Sequence, residues 1–289
     1  MVKRKLYIVL VLAAVSALLL CSVALGEDLP GNKKQQTQSL SKVTGNPQYQ
    51  ILNINNLTTW TRYDGISNFS ASGTGLIFPV GTGNVVYEDG LVFGGKIFTN
   101  AALTSQPTVQ PVRIEGDTYL GSGYIGTRGG YVTGFGATAV AQGVNDADNR
   151  CYRIRRDYYF MSDAELTYDA ATSNEIATSA VTATMKANIF QQYDTDWKNW
   201  PVAKGAPYIE RNGIPGYQAP PPFSATFTDD NLLGKYDEPG VAGADPDSPA
   251  DQVIFHIFND LDASQSVKMT GSQPIGFEIQ KTIWGYKRT

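Results

Sequence analysis

The chain has 289 residues, 42% hydrophobic and 17% charged, so it is long enough for one large domain or two ordinary ones and too apolar to be a disordered chain. A formal net charge of −4 argues against nucleic acid as a partner, because phosphate binding needs a positive face. Twenty-nine Gly, sixteen Tyr and fifteen Pro beside so few charges point to a β-dominated extracellular protein.

The N-terminus has the layout of an export signal. Lys3, Arg4 and Lys5 precede an apolar stretch from Leu6 to Leu20 that only Ser16 interrupts. Ala24 and Gly26 then supply small residues before Glu27, so the expected signal peptide is 1–26. The alternative is a retained anchor, since residues 6–25 could just span a bilayer. Cleavage removes Cys21 and leaves Cys151 alone, with no membrane span and no intramolecular disulfide. Residues 27–50 are polar, rich in Gln, Ser and Lys, and read as a flexible leader.

A β-rich domain is expected over 51–289. Short apolar runs such as Leu76-Ile77-Phe78, Val85-Val86-Tyr87 and Leu91-Val92-Phe93 alternate with Gly-containing turns. Asp89-Gly90 between two of these runs signals a tight hairpin. Gly121, Gly123 and Gly126 match a dinucleotide-binding pattern in letters alone. Thr127-Arg128-Gly129-Gly130 follows where that motif needs a helix, so loops and kinked strands are the better reading. Tyr152-Arg153-Ile154-Arg155-Arg156 alternates as a half-buried strand does, with a solvated, ion-paired face. Ser162 and Glu165 have capping-box spacing for a short helix.

One long helix is expected at about 173–198. Ile176, Ala180, Ala183, Ala187, Phe190 and Trp197 share its face, Thr172 and Glu175 cap its start, and Pro201 bars its continuation. Residues 202–251 form an irregular acidic loop rich in Pro and Gly. Asp245, Asp247 and Asp251 are its candidate Ca²⁺ ligands, although no EF-hand spacing occurs and a solvated loop is favoured. No other cofactor is expected. Gln252 to Phe258 is apolar on both faces, as the centre of a covered sheet must be, and holds the single histidine, His256, as an interior residue. Ile275 to Tyr286 is a second strand, with Phe277, Ile279 and Ile283 on one face. The fold class is therefore β-dominated α+β, with antiparallel sheets or a sandwich and one long helix packed on a sheet.

Several blocks of residues resemble a known group. Trp60, Gly75-Leu-Ile-Phe-Pro-Val-Gly81 and Tyr87-Glu-Asp-Gly-Leu-Val-Phe-Gly-Gly95 are similar to the opening of large uncharacterised exported surface proteins of the Bacteroidota and Ignavibacteria type. Asp196-Trp197, Trp200-Pro201, Gly205-Ala206-Pro207 and Pro274 to Gln280 resemble later blocks of that group. The resemblance implies further β-sandwich modules and a type IX sorting domain beyond the last strand, so the chain is expected to be truncated at its C-terminus. Where relatives carry an acidic calcium-type stretch, this chain reads Glu210-Arg211-Asn212-Gly213.

Taken together, these features lead to an exported, non-catalytic surface protein with a structural or adhesive role, with surface polysaccharide or other surface proteins as partners. No catalytic residue is assigned. The alternative is a carbohydrate-binding module or glycoside hydrolase, in which Trp197 and Trp200 would stack on sugar and Asp194, Asp196 or Glu210 would supply carboxylates. Asp194 and Asp196 stand two apart on a helix and so point in different directions. Buried tryptophans would favour the structural reading.

Overall fold

The computed structural model describes residues 48–117, 125–134, 138–143, 145–206, 210–211, 214–215 and 250–287. The signal peptide, most of the leader and most of the acidic loop, including Asp245 and Asp247, lie outside the described residues.

The described residues begin with an antiparallel ribbon of β1 (Tyr49–Leu52) and β2 (Thr59–Arg62). Tyr49 and Gln50 therefore belong to the folded domain and not to the leader, and Gln50 is fully buried. Next come two more ribbons. β3 (Leu76–Ile77) pairs with β4 (Asn84–Val86), and β5 (Val92–Lys96) pairs with β6 (Val112–Gly116). Asp89-Gly90 is accordingly not a hairpin turn. Asp89 exchanges backbone hydrogen bonds with Ser67 at 2.9 and 3.0 Å. Gly90 is needed for close approach, because a Cβ there would meet the Asp117 carbonyl oxygen at 2.4 Å.

β7 (Arg128–Gly129) and the small ribbon of β8 (Val132–Thr133) with β9 (Val140–Ala141) lead into β10 (Tyr152–Arg155). The helical region follows, as α1 (Asp163–Asn174) and α2 (Ala183–Lys198). Beyond it come the short pair β11 (Glu210–Arg211) and β12 (Ile214–Pro215), then β13 (Gln252–Asn259), α3 (Ala263–Thr270) and β14 (Glu278–Gly285). Among the described residues helix accounts for 24% and strand for 29%, so the fold is α+β with several small antiparallel sheets rather than strongly β-dominated.

The single long helix is two helices. Ser162 and Glu165 form the expected capping box and start α1. Glu175 is not a capping partner of Thr172. It ends α1 in the left-handed conformation, with φ of 55°. A turn of 3-10 helix spans Thr178–Ala180, and Thr182 then caps α2 by accepting from the Met185 N–H. The buried face of α2 is Ile189, Gln192, Tyr193, Asp196 and Trp197, so the alanine stripe is not the packing face.

β13 is the spine, with all eight residues buried. β14 lies along one side of it, while β10 and β7 share the other side end to end, all antiparallel. Tyr152 and Ile154 on β10 and Val253, Phe255 and Ile257 on β13 pack with Tyr158, Ile189, Tyr193, Trp197 and Trp200 in one core cluster. Leu52, Cys151 and Ile254 form a second cluster against Leu57 and Ile283. No helix among the described residues is long and apolar enough to cross a membrane.

Candidate functional site

Charged side chains cluster first where α1 meets β10, and there they are closed off. Arg153 and Asp169 are 0% and 1% exposed and joined at 2.9 Å. The Arg153 guanidinium also donates to Asn53 Oδ1 at 2.6 Å and Ser173 Oγ at 3.3 Å. Tyr193 O–H donates to Asp169 at 2.7 Å, and Gln252 Nε2 donates to the Tyr193 oxygen at 2.9 Å. Burial alone would raise the Asp169 pKa, but the Arg153 charge and the Tyr193 and Ser173 hydrogen bonds hold it below the usual carboxylate range. Strand β10 is thus buried at all four residues, and the solvated arginine face expected of it is absent. Arg155 pairs with Asp157 at 2.5 Å and with Glu165 at 2.6 Å. Arg153, Asp169, Ser173, Tyr193 and Gln252 are buried and hold α1, α2, β10, β13 and the chain after β1 together, while Asp157 and Glu165 at the outer end stay partly exposed.

The helical carboxylates and tryptophans join the same interior. Asp196 is fully buried, paired with Arg150, and accepts the Arg153 backbone N–H at 2.9 Å. Asp194 instead accepts from Tyr158 O–H at 3.0 Å and Lys198 at 2.5 Å. Trp197 is 0% and Trp200 5% exposed, so neither presents a ring face to a sugar, and the stacking role expected of them is corrected. Asp251 accepts the Lys287 backbone N–H at 2.6 Å. No group of three or more His, Cys, Asp or Glu that could hold a metal occurs among the described residues. His256 is interior, as expected. Its Nε2 lies 3.1 Å from Thr61 Oγ1, and burial lowers its pKa to about 3.

The opposite end of the sheet is open. A groove of about 610 Å³ runs between β14 and residues 59–91. Trp60, Leu76, Leu91, Phe258, Ile279 and Ile283 form its apolar lining, and Asn68, Asp89 and Lys281 add polar groups. Lys281 donates to Gly65 O at 3.0 Å and to Ser67 Oγ. Its burial lowers its pKa. Behind the groove Asp117 accepts from Thr127 O–H at 2.7 Å, and burial pushes its pKa up to about 7.

Beside the groove, the β5–β6 ribbon is turned against the usual rule. The register sets Gly94 opposite Ile114 and Lys96 opposite Val112. Val92, Val112 and Ile114 therefore share one face, and they are 52%, 58% and 50% exposed. Arg113 and Glu115 take the inward face, where Arg113 donates to Pro274 O and Phe93 meets Phe277 at 5.5 Å. Glu115 is fully buried and neither carboxyl oxygen has a hydrogen-bond partner. Burial first, and then the Asp260 charge, push its pKa up to about 7. Val85 in β4 and Tyr87 just after it are also exposed, at 56% and 72%. Sequence reasoning did not single out this ribbon. Its one signal is the Val112-Arg113-Ile114-Glu115 alternation, from which the rule of apolar inside would choose the wrong face.

The chain matches no protein-family model, no curated protein and no solved structure.

Proposed function

We propose that this is an exported, non-catalytic surface or matrix protein that adheres to other proteins through its β3–β6 region. The observation that carries the reading is the outward apolar face of β5–β6, with Val92, Val112 and Ile114 each at least half exposed. Apolar surface of this kind is a cost in water that contact with a partner removes, and the exposed Val85 and Tyr87 add to it. Aliphatic side chains suit a protein partner better than a polysaccharide, which is held by open aromatic faces and polar groups. The carbohydrate reading also loses Trp197 and Trp200 to the core.

The N-terminal signal pattern and the resemblance to the opening of large exported surface proteins support the same conclusion. An antiparallel sandwich is the architecture this reading entails, with the β1–β2 ribbon contributing to the layer facing the four-stranded sheet. The test is surface shaving. Intact source cells are treated with protease, and antibody against residues 48–287 follows the protein. Loss of the full-length band while a cytoplasmic marker survives is the expected result. Retention until the cells are lysed would sink the proposal.

A further inference from the structure

We infer that the groove along β14 is a strand-addition site, which takes an extended segment of another polypeptide that is apolar at alternate positions. This goes beyond the adhesive reading and does not depend on it. The argument starts from backbone direction. The Ile257 carbonyl accepts from Gly130 N–H at 2.9 Å, on the side of β7 and β10. Asp260 N–H donates to Phe277 O at 3.3 Å on the opposite side. Because the direction of the peptide groups alternates along a strand, even-numbered β13 residues face β14. Their register partners Ile279, Lys281 and Ile283 therefore bond inward. The N–H and C=O groups of Gln280 and Thr282 point to the outer edge, where no strand among the described residues pairs with them.

The groove lies along that edge. Gln280 and Thr282 line it from one face of the strand, and Ile279, Lys281 and Ile283 line it from the other. Only an edge can present both faces to one space. An unpaired edge of this kind is a template for a further strand, bound by main-chain hydrogen bonds and selected by pockets for alternate side chains. The apolar lining from Leu76, Leu91 and Phe258 calls for apolar side chains on the inward-facing positions. Two of the three N–H donors of the Lys281 ammonium are used on Gly65 and Ser67, and Asp89 in the same groove supplies a negative charge beside it, so the segment is selected by apolar side chains and main-chain bonds and needs no charge of its own. Leu76 and Leu91 line the groove with β14, and its volume of about 610 Å³ has room for part of an extended segment but not for the folded body of a second copy.

The test uses the full chain and a phage library of random dodecapeptides. Enriched peptides should alternate apolar with polar residues. Their synthetic versions should slow hydrogen exchange of the Gln280 and Thr282 amides at least tenfold. N-methylation of alternate peptide residues removes donors without touching the protein, and should weaken binding at least tenfold. Thr282→Pro removes one outward N–H and leaves the inward bonds to β13 in place, so it should weaken binding to the same degree. Failure to enrich any peptide, equal binding of N-methylated peptides, or protection elsewhere would overturn the inference. Concentration-dependent protection of the same amides without peptide would assign the edge to a second copy, and would also overturn it.

Discussion

Strands β10 and β6 carry nearly the same alternation, Tyr-Arg-Ile-Arg and Val-Arg-Ile-Glu, yet the fold uses them in opposite ways. In β10 both faces are covered. Tyr152 and Ile154 enter the aromatic core, while Arg153 and Arg155 meet carboxylates from α1. In β6 the charged face turns inward and the apolar face is left in water. An alternating strand thus specifies two faces but not which one is buried. Where acids wait on the covering element, charge can go inside. The helix side of the molecule is closed, whereas the ribbon and the β14 edge leave apolar side chains and main-chain groups open, and it is there that we propose partners bind.

Four variants separate those roles. The largest effect belongs to Asp169→Ala, which strands the buried Arg153 charge and frees the Tyr193 hydroxyl. Urea unfolding should show a loss of about 3–5 kcal/mol. A loss below about 1 kcal/mol would mean that the network is not what closes the helix side.

Next comes a pH effect on the groove side. The folded Asp117 carboxyl keeps its proton up to about 7, whereas its ordinary pKa is 3.8. The folded state therefore holds the extra proton between these values, and the stability it contributes falls as pH rises through that window. His256 acts in the opposite sense, since its folded pKa is about 3 against an ordinary 6.5, and its contribution is lost as pH falls. Asp117→Asn isolates the first contribution. Relative to the parent, the variant should gain on the order of 2–4 kcal/mol between pH 4 and pH 7. Parallel curves of stability against pH would contradict this.

A smaller effect tests the start of α1. Ser162→Ala removes the capping hydroxyl and should cost about 1 kcal/mol, read as a shift in urea midpoint with unchanged slope. The smallest expected change is on the ribbon. Val112→Thr together with Ile114→Thr exchanges apolar for polar groups on an exposed face and should alter stability by less than about 0.5 kcal/mol. A loss several times larger would mean that this face is packed and not free.

Local chemistry made some of this legible. The run from Gln252 to Phe258, apolar on both faces, announces a covered central strand, and Ser162 with Glu165 announces a helix start, because each signal is complete within a few residues. The α2 packing face was hidden for the opposite reason. Gln192 and Asp196 are polar, and only their distant partners make them interior residues. Asp196 needs Arg150 and the Arg153 backbone, both far away in sequence. The same distance effect misled the reading of Asp89-Gly90. Turn chemistry suggested a hairpin, but the close approach of Gly90 to Asp117 and the bridge from Asp89 to Ser67 decided the path. Trp197 and Trp200 have the residue type of a sugar platform, and only the packing of α2 on β10 reveals their burial. The groove could not be read at all, since it is built from residues 59–91 and 279–283, which meet only in the folded chain.

The central claim is that the outward face of β5–β6 binds and does not stabilise. It is tested most directly by comparing the parent with the triple variant Val92→Thr, Val112→Thr and Ile114→Thr, for binding to washed source-cell envelopes and for thermal midpoint in the same preparation. The account predicts at least a tenfold loss of binding with the midpoint unchanged. Undiminished binding, or a loss of binding that only follows a fallen midpoint, would contradict it.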